Sequence, residues 1–128
     1  MERPRIWLGL AALIGLTAVA AGAFAAHGID DPEAQDWLRT GALYGLTHAL
    51  AVFAAAGQSG RAARLAQALF VIGAAIFSGT LFAMALGAPT ILGAVTPIGG
   101  LGLMAGWACL AVAGFRRSSS AQDRPPRG

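Results

Sequence analysis

The side chains able to do chemistry in this chain are few, and most fall in one stretch. Its histidines are His27 and His48, and its only cysteine is Cys109. Asp30, Asp31, Glu33 and Asp36 follow His27, and Tyr44 precedes His48 by four positions. His48 lies inside an apolar run, where an ionisable side chain is costly and marks either a functional site or a bond between helices. Counted from Thr40 it sits about eight residues deep, roughly 12 Å at helical rise. Tyr44, one turn earlier, is within reach of a hydrogen bond to it. One polar side chain makes a thin proton relay, so a neutral imidazole joining two helices is the expected role.

His27, followed by Asp30 and Asp31, suggests a metal site of imidazole and carboxylate. Two histidines and one cysteine in an apolar run do not complete a nitrogen and sulfur ligand set. The expectation is that His27 interacts with the carbonyl end of a helix. Thr96-Pro97-Ile98-Gly99-Gly100 reads as a threonine cap followed by proline at the start of a helix. Its free N–H groups suit an anion or a substrate carbonyl, but no Arg or Lys is near in sequence, and the glycines fit close helix packing better. Ser78 and Thr80 are expected to bond back to the preceding turn. There is no nucleotide-binding glycine loop with its lysine, no catalytic triad and no zinc motif. His48, Tyr44, His27, Ser78 and Thr96 therefore form a candidate polar site. No catalytic, cofactor-binding or metal-binding residue is assigned, and enzymatic activity is not expected.

The elements that carry these residues are apolar throughout. The chain has 128 residues, of which 56% are hydrophobic and 12% charged, about half the usual charged share. One domain is expected from this length, and such a composition leaves too little polar surface for a water-soluble fold. A spanning helix needs roughly 20 apolar residues, and the chain has room for four: about 6–26, 32 or 40 to 57, 65–86 and 97–115. Asp31-Pro32-Glu33 reads as a helix start, with Trp37 as an interfacial anchor. A cleavable signal peptide is the competing reading of the first run, because Arg3 and Arg5 precede it and Ala21-Gly22-Ala23 resembles a cleavage site. The run is too long for that reading and ends in Phe24 and His27.

Small residues mark the expected contact faces. Ala11, Gly15, Ala18, Gly22 and Ala25 mark the first span, and Gly41 and Gly45 the second, on the same side as His48. Ala75, Gly79, Ala83 and Gly87 mark the third span. Gly102 and Gly106 mark the fourth, which is expected to lie against the first, with Leu103 on the lipid side. Residues 1–117 then form one four-span membrane domain, and 118–128, rich in Ser, Pro and Arg, a disordered cytoplasmic tail. The net charge of +3 and pI near 10.5 come entirely from arginines that flank the apolar runs. They read as topology signals and lipid-headgroup contacts, not as a nucleic-acid surface. Arg3 and Arg5, Arg61 and Arg64, and the tail arginines fall on one side. Asp30–Asp36 and the uncharged 87–95 loop fall on the other, which predicts a multi-pass inner-membrane protein with both termini cytoplasmic.

Three motifs taken together resemble a known family. They are Gly22-Ala23-Phe24-Ala25-Ala26-His27-Gly28; Trp37, Thr40 and Tyr44 leading to His48-Ala49-Leu50; and Phe77-Ser78-Gly79-Thr80-Leu81 continuing through Thr96-Pro97-Ile98-Gly99-Gly100 to Gly106-Trp107. They are similar to the small bacterial membrane proteins grouped as a domain of unknown function (DUF 423), related to the eukaryotic transmembrane protein 256. The resemblance runs from about Trp7 to Trp107. It departs at Ala25, where the family pattern has Gly, and at Gly45, where a Gln follows the Tyr. It implies fold and location, but the family has no established activity.

The expected fold is all-α, a four-helix transmembrane bundle packed through small residues. The expected function is that of a small structural or accessory membrane protein. Its partners would be the lipid bilayer and either a second copy or another membrane protein, with no cofactor. The alternative is a small transporter or channel subunit with a path near His48, Tyr44 and the Thr96–Gly100 helix start.

Overall fold

The computed structural model describes residues 5–123 and 125. They form α1 (Ile6–His27), α2 (Pro32–Ala56), α3 (Arg61–Ala85) and α4 (Thr96–Gln122), with a short 3-10 turn at Thr90–Ala94 before α4. α1 packs on α2, α2 on α3 and α3 on α4, with a lighter contact between α1 and α3. α4 therefore lies against α3 and not, as expected, against α1. This is an all-α four-helix bundle. α1, α3 and the segment Thr90–Gln122 are each long and apolar enough to cross a membrane.

The distribution of side-chain size supports a lipid environment. Ala11, Ala18, Ala25, Ala55, Ala66 and Ala74 are buried, while Leu16, Leu43, Leu50, Leu101, Met104 and Phe115 are exposed. A soluble fold puts its large apolar residues inside. In hydrocarbon those residues gain nothing from burial, and small residues inside let the backbones approach. α1 buries Ala11, Ala18 and Ala25, spaced by seven, which is the narrow seam of a helix wrapped lightly on one neighbour. Gly15 and Gly22 lie on that seam, facing Ala49 and Ala42 of α2.

Local chemistry sets the ends of the helices. Asp31 is the N-cap of α2: its carboxylate accepts from the Ala34 N–H at 3.0 Å, and Pro32 takes the first helical position. Gln35 Nε2 donates to the Ile29 carbonyl at 2.7 Å and pins the acidic loop. α3 begins at Arg61, four residues before the expected Leu65, because Gly60 turns the chain in the left-handed region (φ 100°). At its far end the Ala88 N–H reaches the Ala83 carbonyl (2.9 Å) and the Gly87 N–H reaches Met84 (3.1 Å). Gly87 has φ 101°. This is a Schellman stop that ends the helix before Pro89.

Three other expectations change. The small face of α3 does not pack: Ala75, Gly79 and Gly87 are exposed, and a Cβ at Gly79 would meet nothing within 4 Å. α3 is an inner helix with neighbours on two sides, and it turns Phe70, Gly73, Ala74 and Ser78 inward instead. Leu103 is buried at 3% exposure, against Gly73, and does not face lipid. Residues 118–122, expected to be disordered, continue α4. The hydroxyls of Ser118, Ser119 and Ser120 bond to the carbonyls four residues back. After Pro97 no proline occurs before Pro125. Residues 124 and 126–128 of that tail lie outside the described residues.

The closest helix approach is between α3 and α4. A Cβ at Gly99 would stand 2.6 Å from the Phe77 backbone nitrogen, and one at Gly73 would stand 2.9 Å from the Gly99 carbonyl oxygen. Gly102 faces the Gly73 backbone in the same seam. Gly106, one turn further on, lies over the ring of Phe70.

Candidate functional site

That last contact builds the site. With no side chain at position 106, α4 settles onto the Phe70 ring, which a Cβ would meet at 2.7 Å. The next residue, Trp107, is thereby carried to the α2–α3–α4 junction, its indole edge-on to Phe70 with ring centres 5.1 Å apart. On α2, Gly41 and Gly45 play the matching part. Gly41 receives the ring of Phe82, and Gly45 leaves room for Ser78 of α3 and Ala18 of α1. The inward face of α2 that holds these two glycines also holds His48.

His48 is buried at 6% exposure, and both its ring nitrogens are engaged. Nδ1 lies 2.7 Å from the Tyr44 carbonyl oxygen, one turn back on α2. Nε2 lies 3.0 Å from Nε1 of Trp107 on α4. A carbonyl can only accept and an indole can only donate. The partners therefore assign the neutral tautomer, with the proton on Nδ1 and the lone pair of Nε2 facing the indole N–H. A proton added at Nε2 would set two N–H groups against each other.

The rings of Tyr44, Phe70 and Trp107 surround the imidazole, with centres 5.9, 5.7 and 6.0 Å from it. Tyr44 is stacked on it and also touches Phe77. Tyr44 therefore reaches His48 through its carbonyl and its ring face rather than through its phenol. An apolar pocket of about 230 Å³, lined by Leu43, Tyr44, Thr47 and His48, opens on the outer face of α2.

The other expected residues are dispersed. The Ser78 hydroxyl, buried, donates across the α2–α3 interface to the Gly41 carbonyl at 2.7 Å and does not bond to its own preceding turn. Thr80 does bond back, to the carbonyls of Ile76 and Phe77 at 2.8 and 3.1 Å. It also shares a hydrogen bond of 2.7 Å with the hydroxyl of Thr96 of α4, which itself lies 3.4 Å from the Leu92 carbonyl oxygen. Thr96 is the first residue of α4 rather than its cap, and no side chain caps that end. His27 stands exposed in the last turn of α1, where the Gly28 N–H satisfies the Phe24 carbonyl. Among the described residues no three His, Cys, Asp or Glu side chains cluster closely enough to hold a metal ion.

The three helices α2, α3 and α4 are thus tied at three levels: Thr80 to Thr96, Ser78 to Gly41, and His48 to Trp107. Ser78, Thr96, His48 and Trp107 are used between helices, while Thr17 and Gln67 bond back to carbonyls of their own helices. Below His48 the interior closes with Val52, Ala55, Ala66, Phe70 and Ala74.

Comparison with known proteins agrees with this picture of a small helical membrane protein. Residues 21–100 match the family described as protein of unknown function (DUF423). The chain is 40% identical over 119 residues to the UPF0382 membrane protein of Haemophilus influenzae, covering 88% of this chain and 96% of that one. It is 33% identical to the UPF0382 inner membrane protein YgdD of Escherichia coli K12, covering 88% and 91%. It is 32% identical to the UPF0382 membrane protein YwdK of Bacillus subtilis, covering 88% and 98%. No solved structure matches it. The chain is a member of the DUF423 family of membrane proteins, to which no activity is assigned.

Proposed function

We propose that this protein is a structural or accessory component of the bacterial inner membrane, and not an enzyme. The observation that carries the reading is the full use of His48, with one ring nitrogen bonded to the Tyr44 carbonyl and the other to the Trp107 indole. An imidazole used this way holds α2 to α4 and has no free nitrogen to offer a substrate or a proton. The core beneath it, filled by Val52, Phe70 and small residues, supports the same role. In this reading α2 is a fourth span, less apolar than the others because it carries the site. Both termini are cytoplasmic, because Arg5, Arg61, Arg64, Arg116 and Arg117 share the end opposite Asp30–Asp36. The partner would be a second copy or another membrane protein, met through the exposed apolar faces of α1 and α4.

Flux measurement on proteoliposomes tests the assignment. Wild type and His48→Gln should be indistinguishable from empty vesicles in proton and small-ion leak. A flux present in wild type and lost in His48→Gln would overturn it.

A further inference from the structure

The arginine-bearing end of the bundle has features the His48 cluster does not explain. A cleft of about 210 Å³ lies between the start of α3 and the last turns of α4. Arg61, Arg116 and Arg117 line it, and no carboxylate does. Among the described residues the one ion pair is Arg39 with Asp36, near the opposite end, so these three guanidiniums are unpaired there. The first turn of α3 has no acidic residue and no side-chain cap. Arg61 and Arg64 thus sit at the positive end of a helix dipole, where a bound anion would offset an unfavourable arrangement.

A further observation defines the ligand. An apolar groove of about 330 Å³ also starts at Arg61 and Arg116 and runs along Leu65, Ala108, Cys109 and Val112. The charged cleft and the apolar groove share two arginines, so one molecule with a phosphate at one end and a hydrocarbon chain at the other would fill both.

We propose that this end of α3 and α4 binds an anionic phospholipid of the phosphatidylglycerol type. The phosphate would pair with Arg61, Arg116 and Arg117 and with the open N–H groups of α3. An acyl chain would lie in the groove beside Cys109. The site is independent of the role assigned to His48.

Native mass spectrometry of the full chain, released from micelles containing phosphatidylglycerol, phosphatidylethanolamine and phosphatidylcholine, tests the proposal. The wild type should retain phosphatidylglycerol preferentially. Arg116→Gln with Arg117→Gln should weaken that retention by about tenfold. Arg64→Gln, at the same end but outside the cleft, should leave it nearly unchanged. Val112→Trp, which fills the groove and keeps every charge, should also reduce it, and unaltered helical circular dichroism would show that each variant folds. Equal losses in Arg64→Gln and the double variant would mean diffuse surface attraction and overturn the proposal. Displacement of the lipid by millimolar inorganic phosphate, with Val112→Trp without effect, would assign the cleft to a free anion and overturn it equally.

Discussion

The indole N–H of Trp107 donates to Nε2 of His48 across 3.0 Å, joining residues 59 positions apart on α4 and α2. Because the other ring nitrogen is held by the Tyr44 carbonyl, this bond sets both the tautomer and the orientation of the imidazole. It also joins two helices whose main contacts are with α3.

The bond should appear as coupling in a double-mutant cycle. His48→Leu and Trp107→Phe should each destabilise the protein by about 0.6–2 kcal/mol. The pair together should cost less than the sum, since both remove the same interaction. His48→Gln, which keeps a hydrogen-bonding group, should retain most of the stability. Reversible unfolding in detergent micelles measures all four, and strict additivity would mean that the two side chains do not interact.

The glycines should sort by what surrounds them rather than by their spacing. Gly99→Ala should cost at least about 1–3 kcal/mol, because the new Cβ would meet the Phe77 backbone, which cannot rotate away. Gly106→Leu should destabilise severely through Phe70 and displace Trp107 with it. Gly79→Ala, with nothing within 4 Å, should be neutral or slightly stabilising. Leu103→Ala should also be costly, through a buried cavity beside Gly73. Thermal denaturation in micelles reads all four, and equal tolerance at positions 79 and 99 would contradict the packing.

Orientation is open to cysteine labelling. With Cys109 replaced by Ala, a cysteine at the exposed Glu33 or Asp36 should react with an impermeant reagent outside intact cells. One at Ser119 or Ala121 should react only after lysis. The reverse pattern would invert the arginine-based topology.

What the sequence made legible was local. Asp31-Pro32-Glu33 predicts the start of α2 because a cap, a proline and an acidic first turn act within four residues. The inward direction of His48 follows from Gly41 and Gly45 at helical spacing on the same face. Its partner does not follow: Trp107 is brought there by the Gly106–Phe70 contact, which depends on how α3 and α4 dock. α3 misled for a related reason. It carries small residues on two faces, Gly73 on one and Gly79 on the other, and spacing alone cannot say which of them meets a neighbour. Thr96 has the sequence of a cap, but the nearby Thr80 hydroxyl gives it a partner across the helix interface. Ser118–Gln122 read as disordered from composition, whereas their serines bond within a continuing helix.

Nitrogen NMR of the histidine ring tests the central claim most directly. With His27 replaced by Gln, the spectrum of labelled protein at neutral pH should show His48 as one neutral tautomer, protonated at Nδ1 and bare at Nε2. The Trp107 indole proton should show a scalar coupling to Nε2, and the Nε2 signal should move in Trp107→Phe. A proton on Nε2, with or without one on Nδ1, would contradict the account, because the indole N–H would then have no lone pair to meet.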